Sequence, residues 1–452
     1  MAHLKRIGIL VLILFLVVSF CSCKNIETIE PNVPTINTSG QSASSDVTQS
    51  EDISGNPLTS ITSNISSGSK EELSSDTNSN ITLHTSNSSG TVLEKPNENN
   101  TETEFKICYA QLTDKQKSIY NILEKAVKNM ETGWISLGTY YDNYRRDINV
   151  IVTALQTDLP QYFWIPSEYY TGESMDGDTI RILFKGQEKQ TYLIDKSDRR
   201  PMEEELFDRV EEIMSQVTAT TPFEIELQLH DILCSSVTYS SSTENPLVYT
   251  AYGALVNGNA VCEGYSRAMQ LLLAQYDIKS TLVTGDARGE AHMWNLVNID
   301  NAWYHLDTTW NDGMGTYTYF NLTDAEISKD HGRYRVYTQL SYDEIVCETP
   351  KPYNFELPLC NETKNNYFVK KDYIYSPNGE EKIAKYLMQP FDRMEFKFSD
   401  DSFKTQFDAN TDGFLNTINA ILIREHSSFR ITYSSVTETT LIIYKQRPTD
   451  FQ

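Results

Sequence analysis

The sequence predicts an α+β fold arranged around one central segment, Asn257 to Trp310. Apolar positions with helical spacing follow Cys262, and two alternating stretches joined at Asp300-Asn301 have the pattern of a β-hairpin. Helix and strand patterns also alternate on both sides of this segment. They favour a helix-rich α/β region in front of it and a small α+β domain behind it.

The first residues have the composition of an export signal. Two positive charges precede an apolar run from Ile7 to Phe20. This run is shorter than the roughly 20 residues that a transmembrane helix needs. The junction of Ser22 and Cys23 resembles the site at which bacterial lipoproteins are cut and lipidated. We therefore expect residues 1–22 to be a signal peptide and Cys23 to be lipidated, with simple secretion as the alternative.

Residues 23–104 are rich in serine, threonine, asparagine and acidic residues and contain scarcely an aromatic side chain. Such a segment has too little apolar surface to offset the loss of chain entropy, so we expect a disordered tether. The chain has a formal net charge of −24. This acidity argues against nucleic acid and anionic lipid as binding partners.

The chain beyond residue 23 contains an odd number of cysteines, namely Cys108, Cys234, Cys262, Cys347 and Cys360. At least one of them is therefore a free thiol, unless it pairs between molecules. Export permits disulfides, but a chain that is long enough to build a core does not require them. Cys347 and Cys360 are the candidate pair.

Residues 105–218 are expected to form an N-terminal accessory domain. Apolar periodicity predicts helices over Leu112–Met130 and Tyr141–Leu159. Short strands are predicted over the sequence FWIP and in a hairpin around Gly186, followed by a helix with Pro201 in its first turn. The region shows no ligand cluster or phosphate-binding loop. Core packing is the preferred role for its aromatic side chains Tyr162, Phe163, Trp164, Tyr169 and Tyr170.

A further helix is predicted from Pro222 to Cys234. His230 and Cys234 are four residues apart on it, a spacing that metal ligands use. A second ligand pair is missing nearby in the sequence. We therefore expect Cys234 to be a core residue and His230 to be a structural or surface histidine.

Cys262 falls at the predicted start of the helix that ends before Asp277. The helix dipole and the free N–H groups of a first turn favour a thiolate there, and a donor next to the sulfur would suit an oxyanion. A buried cysteine at the start of a core helix fits the same local pattern. Residues elsewhere must therefore decide between the two interpretations.

The two predicted hairpin strands, AHMWNLVNI and AWYHLDTTW, supply those residues. If Ile299 faces Ala302, the register sets Trp294 opposite Asp307 and His292 opposite Thr309. His292 and Asp307 are then diagonal neighbours, roughly 7–8 Å apart and within side-chain reach. A carboxylate that orients an imidazole completes a thiol triad in which the imidazole is the general base and acid.

His305 lies on the same predicted face and is the competing base. Its ring would point beside the carboxylate of Asp307 and not across to another element, so His292 is preferred. Metal binding through His292, His305 and Asp307 is the other hypothesis for these side chains. It lacks a fourth ligand and places His292 away from the other two, so no metal or cofactor is expected.

Three segments resemble the core of the transglutaminase-like superfamily in order and spacing: NAVCEGYSRAMQLLL, EAHMWNLVNIDNAWYHLDTTW and TYTYFNLTDAEIS. The resemblance covers about Ala251 to Ile327 and implies a papain-like fold. On that pattern Cys262 matches the nucleophile, His292 the base and Asp307 the orienting carboxylate. The family often has proline after the aspartate, where this chain has Thr308; we expect little change in strand geometry.

The resemblance also suggests a bacterial surface lipoprotein, with the catalytic core over residues 219–345 and the C-terminal α+β domain over residues 346–452. The expected reaction is thiol acyl transfer on protein or peptide substrates, which lie at the cell wall or surface. An amine acceptor would make the enzyme a transamidase, and water would make it a peptidase or deamidase. The alternative is a binding module that keeps the fold without catalysis, although a complete triad speaks against it.

Overall fold

The computed structural model describes residues 28–29, 106–186, 191–334, 336–337, 352–353, 355–391, 393–425, 427, 430–435 and 439–446. The predicted signal peptide, Cys23, and all of the predicted tether except Thr28–Ile29 lie outside these residues, and so does Cys347. Those expectations stay predictions. Among the described helices, none is long and apolar enough to cross a membrane.

The helices of the described residues are α1 (Ile107–Ala110), α2 (Asp114–Lys128), α3 (Tyr144–Asp158), α4 (Arg199–Gln216), α5 (Pro222–Ser236), α6 (Ala251–Leu255), α7 (Cys262–Ala274), α8 (Thr308–Met314), α9 (Asp324–Ile327), α10 (Tyr367–Lys370), α11 (Glu380–Leu387), α12 (Asp401–Ala409) and α13 (Thr411–Arg424). A short 3-10 helix covers Pro246–Tyr249. The long helices predicted before the central segment are therefore present, with ends that differ by a few residues.

The strands are β1 (Thr28–Ile29), β2 (Ile135–Thr139), β3 (Glu168–Glu173), β4 (Thr179–Lys185), β5 (Thr238–Tyr239), β6 (Asn259–Ala260), β7 (Ser280–Ala287), β8 (Glu290–Ile299), β9 (Ala302–Leu306), β10 (Phe320–Leu322), β11 (His331–Tyr334), β12 (Val336–Tyr337), β13 (Pro352–Tyr353), β14 (Ile374–Tyr375), β15 (Arg393–Phe398), β16 (Arg430–Ser435) and β17 (Thr440–Gln446). The central sheet is antiparallel in the order β1-β11-β7-β8-β9-β10. The larger flanking sheets have the orders β2-β4-β3 and β14-β15-β17-β16.

Helix α2 begins where its sequence provides a complete capping box. The Thr113 side chain accepts a hydrogen bond from the Gln116 backbone, and the Gln116 side chain accepts one from the Thr113 backbone. Helix α3 begins at Tyr144 and not at Tyr141, because Asn143 in front of it has a left-handed backbone with φ 65°. Helix α3 ends at Asp158, shortly before the proline that was predicted to stop it.

The predicted hairpin around Gly186 is wrong. The real hairpin joins β3 to β4 through a turn that contains Gly177, whose φ is 78°. Gly186 instead marks a close backbone approach, since a Cβ there would lie 2.1 Å from the carbonyl oxygen of Tyr192. The FWIP segment forms turns, and its aromatic residues Phe163 and Trp164 are buried in the core as expected.

The N-terminal helices and the central segment share one apolar core. It includes Tyr120 and Leu155 of the N-terminal helices, and Leu272, Tyr265 and Tyr304 of the central segment. Burial of such side chains contributes roughly 1.5–3 kcal/mol each to folding. The α/β region and the central sheet therefore support each other, while the predicted boundary between residues 218 and 219 stays a prediction.

The predicted register of the central hairpin is confirmed, because Ile299 pairs with Ala302 and Leu296 pairs with His305. The second strand ends at Leu306, however, and not at Trp310. Asp307 is the N-cap of helix α8, and its side chain accepts a hydrogen bond from the Trp310 N–H. The predicted pairing of Trp294 with Asp307 is therefore wrong, since helix capping ends the strand there.

The C-terminal residues form the expected α+β arrangement, with a separate apolar core. Phe396 of β15, Phe403 of α12 and Ile418 of α13 are buried in it. Glu395 of β15 accepts a hydrogen bond from the Tyr317 N–H at 3.0 Å, and so connects this region with the loop before β10. The structure as a whole thus combines mixed helices and sheets, as the sequence predicts.

Candidate active site

Cys262 is the first residue of α7 and is half-buried. Helix α7 is attached to strand β8 by two side-chain hydrogen bonds. Ser266 Oγ donates to the Met293 carbonyl at 3.0 Å, and Asn295 Nδ2 donates to the Ser266 carbonyl at 2.9 Å. Because Met293 is next to His292 in the chain, these bonds set the position of the thiol relative to the imidazole.

Glycine at position 264 allows the first turn of α7 to lie close to Val248 and Ala260. A Cβ at Gly264 would be 2.5 Å from the Val248 carbonyl oxygen and 2.7 Å from the Ala260 Cβ. A larger residue would displace the first turn of α7, which carries the thiol. The sequence Cys-Glu-Gly therefore joins a reactive residue to the residue that permits its placement.

His292 and Asp307 form the pair that the hairpin register predicts. Nε2 of His292 lies 2.7 Å from Oδ2 of Asp307, and both side chains are buried. Burial lowers the pKa of His292, but the negative charge of Asp307 and the hydrogen bonds to Asp307 and Cys262 outweigh it and raise this pKa to about 10. The pKa of Asp307 lies below its usual range despite burial, because His292 and His331 stabilise its ionised form.

Cys262 is a neighbour of the same imidazole and is one of the groups that raise the pKa of His292. Nε2 of His292 is engaged with Asp307, so Nδ1 is the nitrogen left to exchange a proton with the thiol. Two tryptophan rings hold the imidazole between them. The Trp294 ring is stacked on it at 6.0 Å between centroids, and the Trp310 ring is tilted against it at 5.9 Å.

His305, the competing base, is directed away from Asp307. Its Nδ1 accepts a hydrogen bond from Trp294 Nε1 at 2.9 Å, and its Nε2 lies 2.8 Å from Oδ1 of Asp324. Both ring nitrogens therefore already have partners, Trp294 of β8 and Asp324 of α9. This is a stronger reason to set His305 aside than the ring direction that we inferred from the sequence.

A third histidine, His331, contacts Asp307 and was not found in the sequence. Its Nε2 lies 3.0 Å from Oδ2 of Asp307, and its Nδ1 lies 2.7 Å from Oδ1 of Asp330. His331 begins β11, which reaches the site because β11 pairs with β7. That pairing is not local in the chain, and the only sequence signal was the adjacent Asp330-His331 dipeptide.

Tyr239 of β5 is the second residue that was missed. The residue is 51 % exposed, and Cys262 is one of the neighbouring groups that act on its hydroxyl. Burial of the hydroxyl end and the neighbouring Cys262 raise the pKa of Tyr239, so the phenol stays protonated at neutral pH. Strand β5 pairs with β6 over two residues and so places Tyr239 near the start of α7. No local sequence pattern predicts this pairing.

Two groups of the described side chains could offer three metal ligands each, and both differ from the group weighed in the sequence. They are His292, Asp307 and His331, and His305, Asp324 and Cys360. In the second group, His305 Nδ1 accepts from Trp294, so the proton sits on Nε2 where a metal would bind. The first group does not include Cys262. Its three atoms already form hydrogen bonds that fit a proton-transfer site.

His230 and Cys234 of α5 contact helix α8, which follows Asp307. His230 is buried, so the surface alternative for this residue is wrong. Its Nε2 lies 3.1 Å from Asn311 Nδ2 of α8 and 3.6 Å from the Cys234 sulfur. Cys234 also contacts the Thr308 carbonyl at 3.8 Å. Both residues thus hold the start of α8, directly after Asp307.

Part of the chain is similar to a known protein family. Residues 210–308 match the family model of the Transglutaminase-like superfamily. The matched span includes Cys262, His292 and Asp307 and ends at Thr308. This segment is therefore similar to the transglutaminase-like superfamily. No curated protein matches the chain.

Two solved structures are similar to parts of the chain. A candidate cysteine protease from Cytophaga hutchinsonii is 14% identical with a TM-score of 0.21, covering 32% of this chain and 62% of that structure. A TGase is 13% identical with a TM-score of 0.22, covering 38% of this chain and 48% of that structure. The chain thus spans less than two thirds of each of these structures.

The site predicts selective alkylation of Cys262. With iodoacetamide at neutral pH, Cys262 should react on the order of 100-fold faster than Cys234, because His292 accepts the proton of the Cys262 thiol. Burial raises the pKa of the Cys234 thiol and keeps it unreactive. Peptide mapping by mass spectrometry measures both rates. Equal, slow labelling of the two cysteines would rule out an activated nucleophile, and a Cys262→Ala variant serves as the control.

Proposed function

We propose that this chain, whose residues 210–308 are a transglutaminase-like core, is an extracytoplasmic thiol acyl-transfer enzyme that acts on protein or peptide amides. The observation that carries the proposal is the buried His292–Asp307 pair, 2.7 Å apart, beside a cysteine at the start of a helix. A thiol, a base and a group that orients the base are the three parts that nucleophilic acyl transfer needs.

In the proposed reaction Cys262 has already given its proton to Nδ1 of His292, and the thiolate sulfur attacks the amide carbonyl carbon. The C–N bond then breaks, the leaving nitrogen receives that proton, and a thioester joins the acyl group to Cys262. Water or an amine attacks the thioester, loses a proton to His292, and releases the free thiol. Asp307 stays ionised throughout and stabilises the imidazolium form of His292.

The negative charge on the carbonyl oxygen needs hydrogen-bond donors as the sulfur attacks. The N–H of Cys262 lies at the start of α7, where the helix dipole favours an anion. Tyr239 is a neighbour of Cys262 whose pKa is raised by burial and by that cysteine, so its hydroxyl stays protonated and can donate. We assign these two groups as the oxyanion donors, each worth roughly 3–4 kcal/mol in such sites.

Hydrolysis is the outcome that we propose for the thioester. Cys262 is half-buried and Tyr239 is about half exposed, so water can reach the acyl group from the open side of the site. Water would yield a cut peptide bond or a deamidated side chain, according to which amide is attacked. A protein amine in the same position would yield an isopeptide bond.

The proposed reaction can be tested on cell-wall and surface peptides incubated with the wild-type protein and with Cys262→Ala. Mass spectrometry distinguishes cleavage, deamidation (a gain of about 1 Da) and new isopeptide bonds in one experiment. We expect cleavage or deamidation with the wild type and none with the variant. Products that form equally with both proteins would contradict the proposal, and binding without any product would favour the non-catalytic module.

Substitutions of Asp307 and His305 should differ in their effect on turnover. Asp307→Asn removes the charge that fixes the His292 tautomer, so hydrolysis of p-nitrophenyl acetate by Cys262 should fall by about 10³-fold or more. His305→Gln keeps an acceptor for Trp294 and should retain most of the activity. Melting temperatures of both variants control for folding. The opposite order of the two effects would show that His305 is the base.

We also propose that the protein is held at the membrane by a lipid on Cys23, with the catalytic core outside the cytoplasm. The lipoprotein-like junction at Cys23 supports this location. Cys23→Ala should move the protein from the membrane fraction to the soluble fraction after cell lysis, as immunoblotting would show. Retention of the variant in the membrane fraction would contradict lipid anchoring, and Cys21→Ala provides a matched control.

A further inference from the structure

We propose that His331, held by Asp330, is a positioning residue of the thiol reaction: a fixed buried cation that shares Asp307 with the base His292. The inference rests on the proposed function, since it concerns the charge that His292 experiences during acyl transfer. It extends the site by two residues that lie beyond the end of the matched family segment.

The geometry places one oxygen atom between two imidazoles. Oδ2 of Asp307 lies 2.7 Å from Nε2 of His292 and 3.0 Å from Nε2 of His331. The other oxygen, Oδ1, accepts from the Trp310 N–H at 3.0 Å. A buried carboxylate with three donors is restrained in both position and orientation. His331 therefore helps to hold the carboxylate in the place where it meets His292.

The two partners of His331 decide its charge. Nε2 faces Asp307, and Nδ1 faces Oδ1 of Asp330 at 2.7 Å. An ionised carboxylate can only accept a hydrogen bond, so two such partners require a proton on each ring nitrogen. His331 is thus an imidazolium at neutral pH. The hydrogen bonds from His331 and Tyr319 outweigh burial and lower the pKa of Asp330, which keeps this second carboxylate ionised.

Other charged and titratable groups surround His331 on every packed element. His292 of β8 lies 5.5 Å away between ring centroids, and Tyr319 lies 5.3 Å away and donates to Asp330. Gly332, the next residue of β11, pairs with Asp286 of β7. Arg288, in the turn between β7 and β8, lies 3.8 Å from Asp330 and covers the Trp310 ring.

This arrangement changes the field at the catalytic pair. Asp307 alone would apply a full negative charge to His292 in a buried site. The imidazolium of His331 offsets part of that charge, while Asp330 balances the cation on its far side. Loss of the cation should therefore favour protonation of both His292 and Cys262, and should move the pH range of thiol reactivity upward.

The test is the rate of Cys262 alkylation by iodoacetamide as a function of pH, in the full-length protein. His331→Gln removes the cation, so the midpoint of the profile should rise by about one pH unit. Asp330→Asn removes one of the two carboxylates that keep His331 charged, so the midpoint should also rise, by less than in His331→Gln. A purely structural role for His331 would lower the amount of reactive protein without moving either midpoint.

Asp324→Asn is the matched control, because Asp324 contacts His305 and not the Asp307 cluster; its midpoint should equal that of the wild type. An unmoved midpoint for His331→Gln, or a shift to lower pH, overturns the inference. If His331→Gln fails to fold by circular dichroism, Asp330→Asn decides: a rise of the midpoint supports the inference, and no shift or a shift to lower pH overturns it. Wild-type labelling of Cys262 no faster than that of Cys234 would instead refute the proposed function itself.

Discussion

The buried carboxylate of Asp307 is the group on which the site and its surroundings depend. An ionised carboxylate with no exposed surface costs several kcal/mol unless donors surround it. Asp307 has three such donors, the Trp310 N–H of α8, His292 of β8 and His331 of β11. The carboxylate of Asp307 thus connects the start of α8 with strands β8 and β11, which are far apart in the sequence. The hydrogen bonds that position the catalytic pair are therefore also bonds that stabilise the local fold.

The aromatic rings around this charge serve the same requirement. Trp294 stacks on His292 and donates to His305, and Trp310 lies against both His292 and His331. Such rings exclude water from the carboxylate, and they add no acceptor that would compete with it for the histidine N–H groups. With water excluded, the charges of Asp307 and of its partners act on one another more strongly. Small changes in the proton positions of this cluster therefore have large effects at the thiol.

The parts of this site that could be predicted are those that local spacing determines. Helical periodicity placed Cys262 at a helix start, and a two-residue turn set the register that brings His292 near Asp307. His331 and Tyr239 could not be found in this way, because each reaches the site through a pairing with a distant or very short strand. The end of β9 at Leu306 was also missed. Asp307 could either extend the strand or cap the next helix, and in the structure its side chain caps α8.

Three buried histidines on one sheet show how neighbours determine the role of a residue type. His305 accepts from a tryptophan N–H, which fixes it as a neutral donor to Asp324. His331 meets a carboxylate at each nitrogen, which fixes it as a cation. His292 has one carboxylate and one thiol, so it alone of the three can both gain and lose a proton as the reaction proceeds. His292 can act as a base because its two partners differ, one being a carboxylate and the other a thiol. His305 and His331 occupy the neighbouring carboxylates of Asp324 and Asp330, so these do not compete for the His292 ring.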